Sequence, residues 1–159
     1  MEIYILRHGI AEDDGPGGSD AERSLTSEGK KKLRDVLRVA GKAGVSPKLI
    51  VSSPLVRAVE TAELALEVLG GKNALLQTST LEPGSDTQAV WEEIRVHKDV
   101  TELMLVGHEP LLSKTVAYLL GAPSLYVDMK KGALVRVDVD RFGVQPRGTL
   151  KWMLVPRLT

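Results

Sequence analysis

The chain has 159 residues, of which 43% are hydrophobic, so it is long enough to bury one ordinary core, and we expect a single domain over residues 1–159. Its 21 Lys and Arg residues balance 21 Asp and Glu residues, so no net charge attracts nucleic acid or an anionic membrane surface. The absence of cysteine excludes disulfides, thiolate nucleophiles and sulfur-ligated metals. Any anion binding must therefore come from a local cluster of cations.

Membrane and nucleic-acid functions receive little support from the composition. No apolar run approaches the roughly 20 residues that cross a bilayer, and the N-terminus lacks a basic region followed by an apolar stretch. Aromatic residues make up only 4% of the chain, which leaves few rings for stacking on single-stranded nucleic acid. We therefore expect a protein of the cytoplasm that binds neither nucleic acid nor a membrane.

The first elements are a buried strand, a loop and an amphipathic helix. Residues 2–6 are β-branched and almost continuously apolar, which is typical of a strand in a parallel sheet. Residues 11–20 are rich in Gly, Asp and Pro and predict a mobile loop. Thr26 is a candidate cap for a helix whose apolar residues recur at helical spacing from Leu33 to Ala40. The Lys30–Lys32 run is interpreted as the solvated face of that helix.

A second strand and helix follow in the same order. Residues 48–52 predict another buried strand. Ser53 and Pro54 are then interpreted as the cap and the first-turn proline of a helix over residues 55–69. The glycine pair Gly70–Gly71 predicts the end of that helix.

A short strand and a helix come next, and a third buried strand with its own helix completes the repeated pattern. Residues 74–78 predict a short strand, and Ser85 with Gln88 is a candidate capping box that opens a helix. A third buried strand, residues 103–106, leads through a turn into a helix that ends at Leu120.

The C-terminal region alternates apolar and polar residues over 135–139 and 150–154, which predicts two antiparallel strands joined by a short connection. Strand-then-helix order, repeated three times, implies helices on both faces of a sheet. The predicted fold is a three-layer α/β/α sandwich with a mixed, mainly parallel central sheet and a C-terminal antiparallel strand pair.

Arginine and histidine side chains follow the three buried strands. Arg7 and His8 come directly after the first strand. Arg57 lies in the first turns of the helix after the second strand, and His108 follows the third strand. Ligands of open α/β sheets bind beyond the carboxyl ends of the strands, so we expect these four side chains to share one pocket. Because guanidinium groups and helix N-termini both bind phosphate oxygens, the sequence predicts a phosphate site.

His8 is the candidate nucleophile of this pocket. A neutral imidazole can attack phosphorus directly and hold the phosphoryl group as a covalent phosphohistidine, so neither a metal nor another cofactor is expected. Arg7, Arg57 and a protonated His108 would stabilise the charge on the phosphoryl oxygens. A metal-dependent phosphatase is disfavoured because no paired Asp cluster follows a strand.

Several of these residues also have a structural interpretation. His108 could be a turn histidine bonded to backbone, and Arg57 could pair with Glu60 on the helix surface. However, a cation near a helix start opposes the helix dipole and requires a compensating anion. Ser53 is by default a helix cap, and a contact with phosphate is its second interpretation. His97 stands in no motif and is assigned to the surface.

Four sequence elements occur in order: Leu6-Arg7-His8-Gly9, Leu25-Thr26-x-x-Gly29, Ser53-Pro54-x-x-Arg57-Ala58-x-x-Thr61-Ala62 and Val106-Gly107-His108-Glu109-Pro110. Their order and spacing resemble those of the histidine phosphatase superfamily, and most closely its small SixA-type phosphohistidine phosphatases. The resemblance implies that His8 accepts the phosphoryl group while Arg7, Arg57 and His108 complete the phosphate pocket. It also implies a mixed sheet flanked by helices.

The resemblance further implies a substrate class and a proton donor. Only about 50 residues separate Arg57 from His108, which is similar to the compact SixA type, whose open site admits phosphohistidine on another protein. Larger relatives protonate the leaving group with a carboxylic acid, for which Glu82 is the first candidate and Glu109 the second. The basic imidazole of a phosphohistidine can also leave with a proton from water. The alternatives are a phosphatase of small phosphomonoesters and a phosphate-binding module without turnover.

Overall fold

A computed structural model of the chain describes residues 1–70 and 74–159, and within them six strands form one sheet. The strands are β1 (Glu2–Arg7), β2 (Leu49–Ser52), β3 (Ala74–Gln77), β4 (Glu102–Gly107), β5 (Leu134–Asp138) and β6 (Thr149–Leu154). Their order across the sheet is β3-β2-β4-β1-β5-β6. Strands β3, β2, β4 and β1 are parallel, whereas β5 runs antiparallel to both β1 and β6. The predicted mixed sheet with its C-terminal antiparallel pair is confirmed.

Helices cover both faces of this sheet: α1 (Ser27–Lys42), α2 (Val56–Leu69), α3 (Thr87–Val96) and α4 (Leu111–Leu119). Strand β1 shows how the two layers are specified, because its side chains alternate between the faces. Ile3 and Ile5 pack in one core with residues of α3 and α4. Tyr4 and Leu6 pack in the other core with residues of α1 and α2. None of the helices in the described ranges combines the length and the apolar character that crossing a membrane requires.

Two of the predicted helix starts differ from the structure. Helix α2 begins at Val56 without a side-chain cap, so the prediction of a cap at Ser53 and a first-turn proline at Pro54 is wrong. The Ser53 hydroxyl instead lies 2.8 Å from a ring nitrogen of His108. Helix α3 is capped by Asp86, whose carboxylate accepts a hydrogen bond from the Ala89 amide at 2.8 Å, and not by the predicted box at Ser85.

Helix α1 begins as predicted. Thr26 Oγ1 accepts a hydrogen bond from the Gly29 amide at 2.9 Å. The Thr26 amide in turn donates to the Ile10 carbonyl at 2.9 Å, and a Cβ on Gly29 would collide with that carbonyl. The Leu-Thr-x-x-Gly element therefore holds the chain that leaves β1 against the start of α1.

The connection between β1 and α1 is more ordered than the sequence predicts. It contains a turn of 3-10 helix at Pro16–Gly18 and is closed by a bridge between Ala11 and Leu25. Arg57 of α2 also donates a hydrogen bond to the Asp20 carbonyl at 2.9 Å. These contacts place the connection beside the carboxyl ends of the strands, where the candidate site lies. At the far end of α2, Gly70 has a left-handed φ of 70°, and Gly71 lies outside the described residues.

Candidate active site

Three neighbouring strand ends bring the candidate residues together. The His8 amide donates to the Gly107 carbonyl at 3.1 Å, which joins the end of β1 to the end of β4. The Ser53 amide donates to Val106 at 2.9 Å, which joins the end of β2 to β4. The imidazole rings of His8 and His108 lie with their centroids 5.1 Å apart. The predicted convergence of the strand ends is therefore observed.

His8 is held in a defined tautomer. It is 6% exposed, and its Nδ1 lies 2.7 Å from the Gly9 carbonyl oxygen. Because that oxygen can only accept, Nδ1 carries the proton and Nε2 keeps its lone pair. Burial lowers the pKa of His8 to about 3, and the positive charges of Arg57 and Arg7 act in the same direction. His8 is therefore a neutral imidazole at pH 7, with an unprotonated nitrogen available for attack.

His108 is buried beside a serine hydroxyl. Its Nε2 lies 2.8 Å from Ser53 Oγ, and Ser53 is completely buried. Burial lowers the pKa of His108 to about 4, with a further contribution from the positive charge of Arg57. The protonated His108 expected from the sequence is thus not the form of the unliganded site at pH 7. The physical reason is that burial and a nearby guanidinium both oppose a further positive charge.

Arg57 reaches the site from the first turn of α2. It is 5% exposed, and its Nη2 lies 3.3 Å from Asp20 Oδ2 in an ion pair. The alternative pairing with Glu60 is wrong, because Glu60 instead pairs with Lys30 at 3.0 Å. Asp20 therefore provides the anion that a cation near a helix start requires. The Asp20 carboxylate is 65% exposed, so it lies where the site opens to solvent.

Arg7 approaches from the end of β1. Its Nη1 donates to the Met129 carbonyl at 2.7 Å, in the segment that precedes β5. Burial lowers the pKa of the Arg7 guanidinium, while the carboxylates of Glu109 and Asp128 act against that effect. Within the described residues, Arg7 forms no ion pair.

Three buried polar atoms of the site have no hydrogen-bond partner in the described part of the chain: Arg7 Nε, Arg57 Nε and His108 Nδ1. Buried polar groups are nearly always paired, so such atoms require an explanation. Two of the three are guanidinium N–H donors, which bind anionic oxygens. The arrangement can therefore receive an oxyanion between the two arginines and the two histidines.

The two candidate proton donors have different surroundings. Glu109 Oε1 accepts a hydrogen bond from the Ser113 amide at 2.8 Å, so this carboxylate caps the first turn of α4. Glu82 follows a 3-10 turn, Ser79–Leu81, and is partly exposed. The Leu81 carbonyl lies against Gly107, which places Glu82 next to the strand end that carries His108. Across residues 1–70 and 74–159, no three His, Asp or Glu side chains are grouped to share a metal ion.

Two further residues support the site although the sequence alone indicated no role for them. Thr61 Oγ1 accepts from the Gly9 amide at 3.2 Å and donates to the Arg57 carbonyl at 2.7 Å, which ties α2 to the segment that carries His8. Thr61 belongs to the third of the four sequence elements, so its spacing from Arg57 was an available signal. Asp20 lies in a loop without any periodic pattern, and no sequence signal identified it.

Comparisons with known proteins identify the family and the fold of the chain. The family model of the histidine phosphatase superfamily, branch 1, matches residues 3–82. An uncharacterised protein of a Picosynechococcus species is 31% identical over 137 residues, covering 85% of this chain and 83% of that protein.

Two solved structures are similar over nearly the whole chain. The protein histidine phosphatase SixA complexed with tungstate has a TM-score of 0.88 and 27% identity, covering 99% of each chain. A mycobacterial glucosyl-3-phosphoglycerate phosphatase has a TM-score of 0.70 and 20% identity, covering 95% of this chain and 97% of that chain. The second likeness concerns the fold alone. The family match over half of the sequence and the agreement of the fold lead to one conclusion: this chain belongs to the histidine phosphatase superfamily, branch 1.

Proposed function

We propose that this chain hydrolyses phosphohistidine on another protein through a covalent phosphohistidine at His8. The observation that carries the proposal is the state of His8, whose Nδ1 is committed to the Gly9 carbonyl and whose Nε2 is free and unprotonated at neutral pH. The likeness to SixA, a protein histidine phosphatase solved with an oxyanion, supports both the reaction and the substrate class.

The reaction has two displacement steps. In the first, Nε2 of His8 attacks phosphorus, a new N–P bond forms, and the N–P bond to the substrate imidazole breaks. The substrate imidazole takes up a proton as it leaves. In the second, water attacks the phosphoryl group on His8, the N–P bond breaks, and phosphate leaves with His8 neutral again. The proton that the water loses returns to the group that protonated the leaving imidazole, Glu82 or solvent.

The buried cations stabilise the phosphoryl group in both steps. Arg7 Nε and Arg57 Nε, which lack partners in the described chain, donate to its oxygens. Burial is the main cause of the low pKa of His108, and the positive charge of Arg57 adds to it. A bound dianion favours the charged form of the ring, so we expect His108 to gain a proton when substrate binds. Nε2–H of His108 then donates to Ser53 Oγ and Nδ1–H to the phosphoryl group. Ser53 is thus a positioning residue for His108, and its own hydroxyl proton remains available for the contact with phosphate that the sequence predicts.

The proton for the leaving group comes from Glu82 or from water. Glu82 is partly exposed and has no side-chain hydrogen bond within the described residues, whereas Glu109 is occupied by the amide of Ser113. A phosphomonoester needs such an acid more than a phosphoramidate does, because its strongly basic alkoxide is a poor leaving group unless it is protonated as the P–O bond breaks. Glu82→Gln should therefore slow phosphomonoester hydrolysis more than phosphohistidine hydrolysis, and Glu109→Gln should affect neither strongly.

The direct test replaces the nucleophile and compares substrates. His8→Ala should abolish both phosphate release and labelling by a phosphoryl donor, whereas His97→Ala should retain wild-type turnover. His97 is a matched control because it pairs with Glu93 at 3.2 Å on α3, away from the site. Wild-type activity in His8→Ala would overturn the nucleophile assignment.

Substrate class is tested by kcat/KM. A phosphorylated histidine-containing phosphotransfer protein should be preferred over sugar phosphates and nucleotides. A strong preference for a small phosphomonoester would favour the alternative enzyme, and tight binding without phosphate release would favour a non-catalytic module. We expect full activity in excess chelator, because no step requires a metal.

A further inference from the structure

A wide groove adjoins the candidate active site at Arg7. Its volume is about 820 Å³, and Arg7 belongs both to its wall and to the phosphate site. We call it the basic groove, because its charged lining residues are Arg7, Lys32, Lys130, Lys131, Arg157 and Asp128. Five cations thus face one carboxylate in a chain whose net charge is zero. This is the local cluster of cations that a neutral chain needs for binding anions.

The cations of the basic groove are only partly neutralised. Lys130 pairs with Asp128 at 2.9 Å, and Lys32 pairs with Glu28 at 2.8 Å. Lys131 and Arg157 are exposed and form no ion pair with any residue in the described ranges. Exposed cations that share a concave wall raise the local concentration of anionic groups. The groove therefore has charge available for a ligand.

The wall that carries Lys130 and Lys131 is fixed to the nucleophile. The Gly132 amide donates to the carbonyls of Arg7 and His8 at 3.2 and 3.1 Å, and the Arg7 amide donates to Ala133 at 3.0 Å. The turn Pro156–Leu158 also contributes Pro156 and Arg157 to the lining, and Pro156 packs against Gly132. A ligand held in the groove therefore has a constant position relative to His8.

We propose that the basic groove binds an acidic segment of the substrate protein next to its phosphohistidine. A phosphoryl group on a small alcohol would occupy the site between the two arginines and leave the groove unused. A protein would extend beyond the phosphohistidine and could place Asp or Glu side chains against Lys131 and Arg157. Leu125 and Tyr126, in the connection that leads to this wall, are 47% and 99% exposed and offer apolar contact area to the same partner.

This inference rests on the proposed function, and a pair of synthetic peptides separates the two. Both carry one phosphohistidine, flanked by Asp and Glu in one peptide and by Ser and Gln in the other. The wild type should show a kcat/KM about tenfold higher for the acidic peptide at low ionic strength, mainly through KM. The preference should shrink at high salt, because exposed charges are screened.

The decisive variant is Lys131→Gln with Arg157→Gln, which leaves the phosphate site intact. Its preference for the acidic peptide should fall to about twofold, with unchanged kcat on the neutral peptide. The control is Lys48→Gln with Lys98→Gln, two exposed lysines that precede β2 and β4 at the opposite edge of the sheet. This control should keep the tenfold preference.

Each other outcome rejects one part of the proposal. If the wild type hydrolyses both peptides equally, or if the control variant also loses the preference, the proposed role of the groove is wrong. The proposed function is unaffected by either result. Hydrolysis of neither peptide, with hydrolysis of a phosphomonoester, overturns the proposed function and the groove with it. If a small phosphate ester with a second anionic group depends on Lys131 and Arg157 more than the acidic peptide does, the groove binds a metabolite and the proposal is rejected.

Discussion

The two ends of strand β1 carry arginines in opposite situations. At its start, Arg136 of β5 pairs with Glu2 at 2.7 Å and with Asp138 at 2.8 Å, and the hydroxyl of Tyr4 donates to the same Glu2. At its end, Arg7 has no ion pair with any described residue, and one of its buried nitrogens has no hydrogen-bond partner. The pKa shifts agree, because the hydrogen bond to Asp138 raises the pKa of Arg136 whereas burial lowers that of Arg7.

The ion pairs at the start of β1 stabilise the fold, whereas the cation at its end has no such partner among the described residues and is available to bind a ligand. At the start of β1 the guanidinium of Arg136 is already paired with the carboxylates of Glu2 and Asp138, so this cation is not available to a ligand. At the end of β1, burying cations and imidazoles without full pairing opposes folding. A bound phosphoryl group would supply the missing negative charge and hydrogen-bond acceptors, so this end of the strand is complete only with an anion.

The largest expected difference between the two ends is in catalysis. Arg7→Gln should lower kcat/KM on the order of 10²- to 10³-fold, because it removes a buried donor to the phosphoryl group. Arg136→Gln should leave kcat/KM unchanged and lower the free energy of unfolding by about 1 kcal/mol, as expected for a partly exposed ion pair. Steady-state kinetics and urea denaturation of both variants check this. Comparable kinetic losses in the two variants would contradict the distinction.

Acid should destabilise the catalytic end of β1 selectively. His8 and His108 have folded-state pKa values of about 3 and 4, below the ordinary 6.5, so the unfolded chain binds more protons. The free energy of unfolding should therefore be unaffected above pH 6.5 and fall as the pH drops from about 6.5 toward 4. At pH 5 the loss is on the order of 2 kcal/mol for each histidine.

Urea denaturation at pH 7 and pH 5 measures this loss. His8→Gln and His108→Gln should each reduce the loss of unfolding free energy between pH 7 and pH 5 by about 2 kcal/mol, because glutamine does not titrate. His97→Gln is the control and should retain the wild-type difference. An identical acid sensitivity in all three variants would show that other groups are responsible.

The smallest expected effect concerns Arg57, whose situation lies between those of Arg136 and Arg7. Asp20→Asn removes the exposed carboxylate that pairs with Arg57, while the backbone hydrogen bond remains possible. Phosphate, the product, would then no longer compete with the Asp20 carboxylate for Arg57. Its inhibition constant should therefore fall about fivefold, which corresponds to about 1 kcal/mol of binding free energy.

Asp14→Asn serves as the control for this prediction, because Asp14 is exposed in the same loop. Its inhibition constant for phosphate should match that of the wild type. A weaker binding of phosphate by Asp20→Asn would mean that Asp20 holds Arg57 in position instead of competing for it.

Much of the fold was predictable because its signals are local. The apolar runs before Arg7 and His108 are short and continuous, and parallel strands bring the residues after them to one edge of the sheet. The start of α3 was mispredicted because Ser85 and Asp86 are adjacent capping residues, and only the backbone decides between them. Ser53 was mispredicted as a cap because its hydrogen bond to His108 spans 55 residues.

The parts of the site that escaped prediction depend on distant residues. The ion pair between Asp20 and Arg57 joins a loop without periodicity to a helix 37 residues away. The basic groove combines Lys32 of α1 with Lys131 and Arg157, which lie 99 and 125 residues further along the chain. Neither contact leaves a pattern in a single stretch of sequence, because strand order determines both.

The reversed direction of β5 has a consequence for how such a protein can acquire new partners. Since β5 runs antiparallel to β1, the connection from Leu120 to Ala133 enters the sheet at the catalytic edge. Its last residues are anchored by hydrogen bonds to backbone atoms of Arg7 and His8, and among them only Gly132, with its left-handed φ of 79°, requires a particular residue type. The upstream part of this connection can therefore be exchanged or lengthened without disturbing the nucleophile. Grafting this segment between related chains would test whether it determines the substrate.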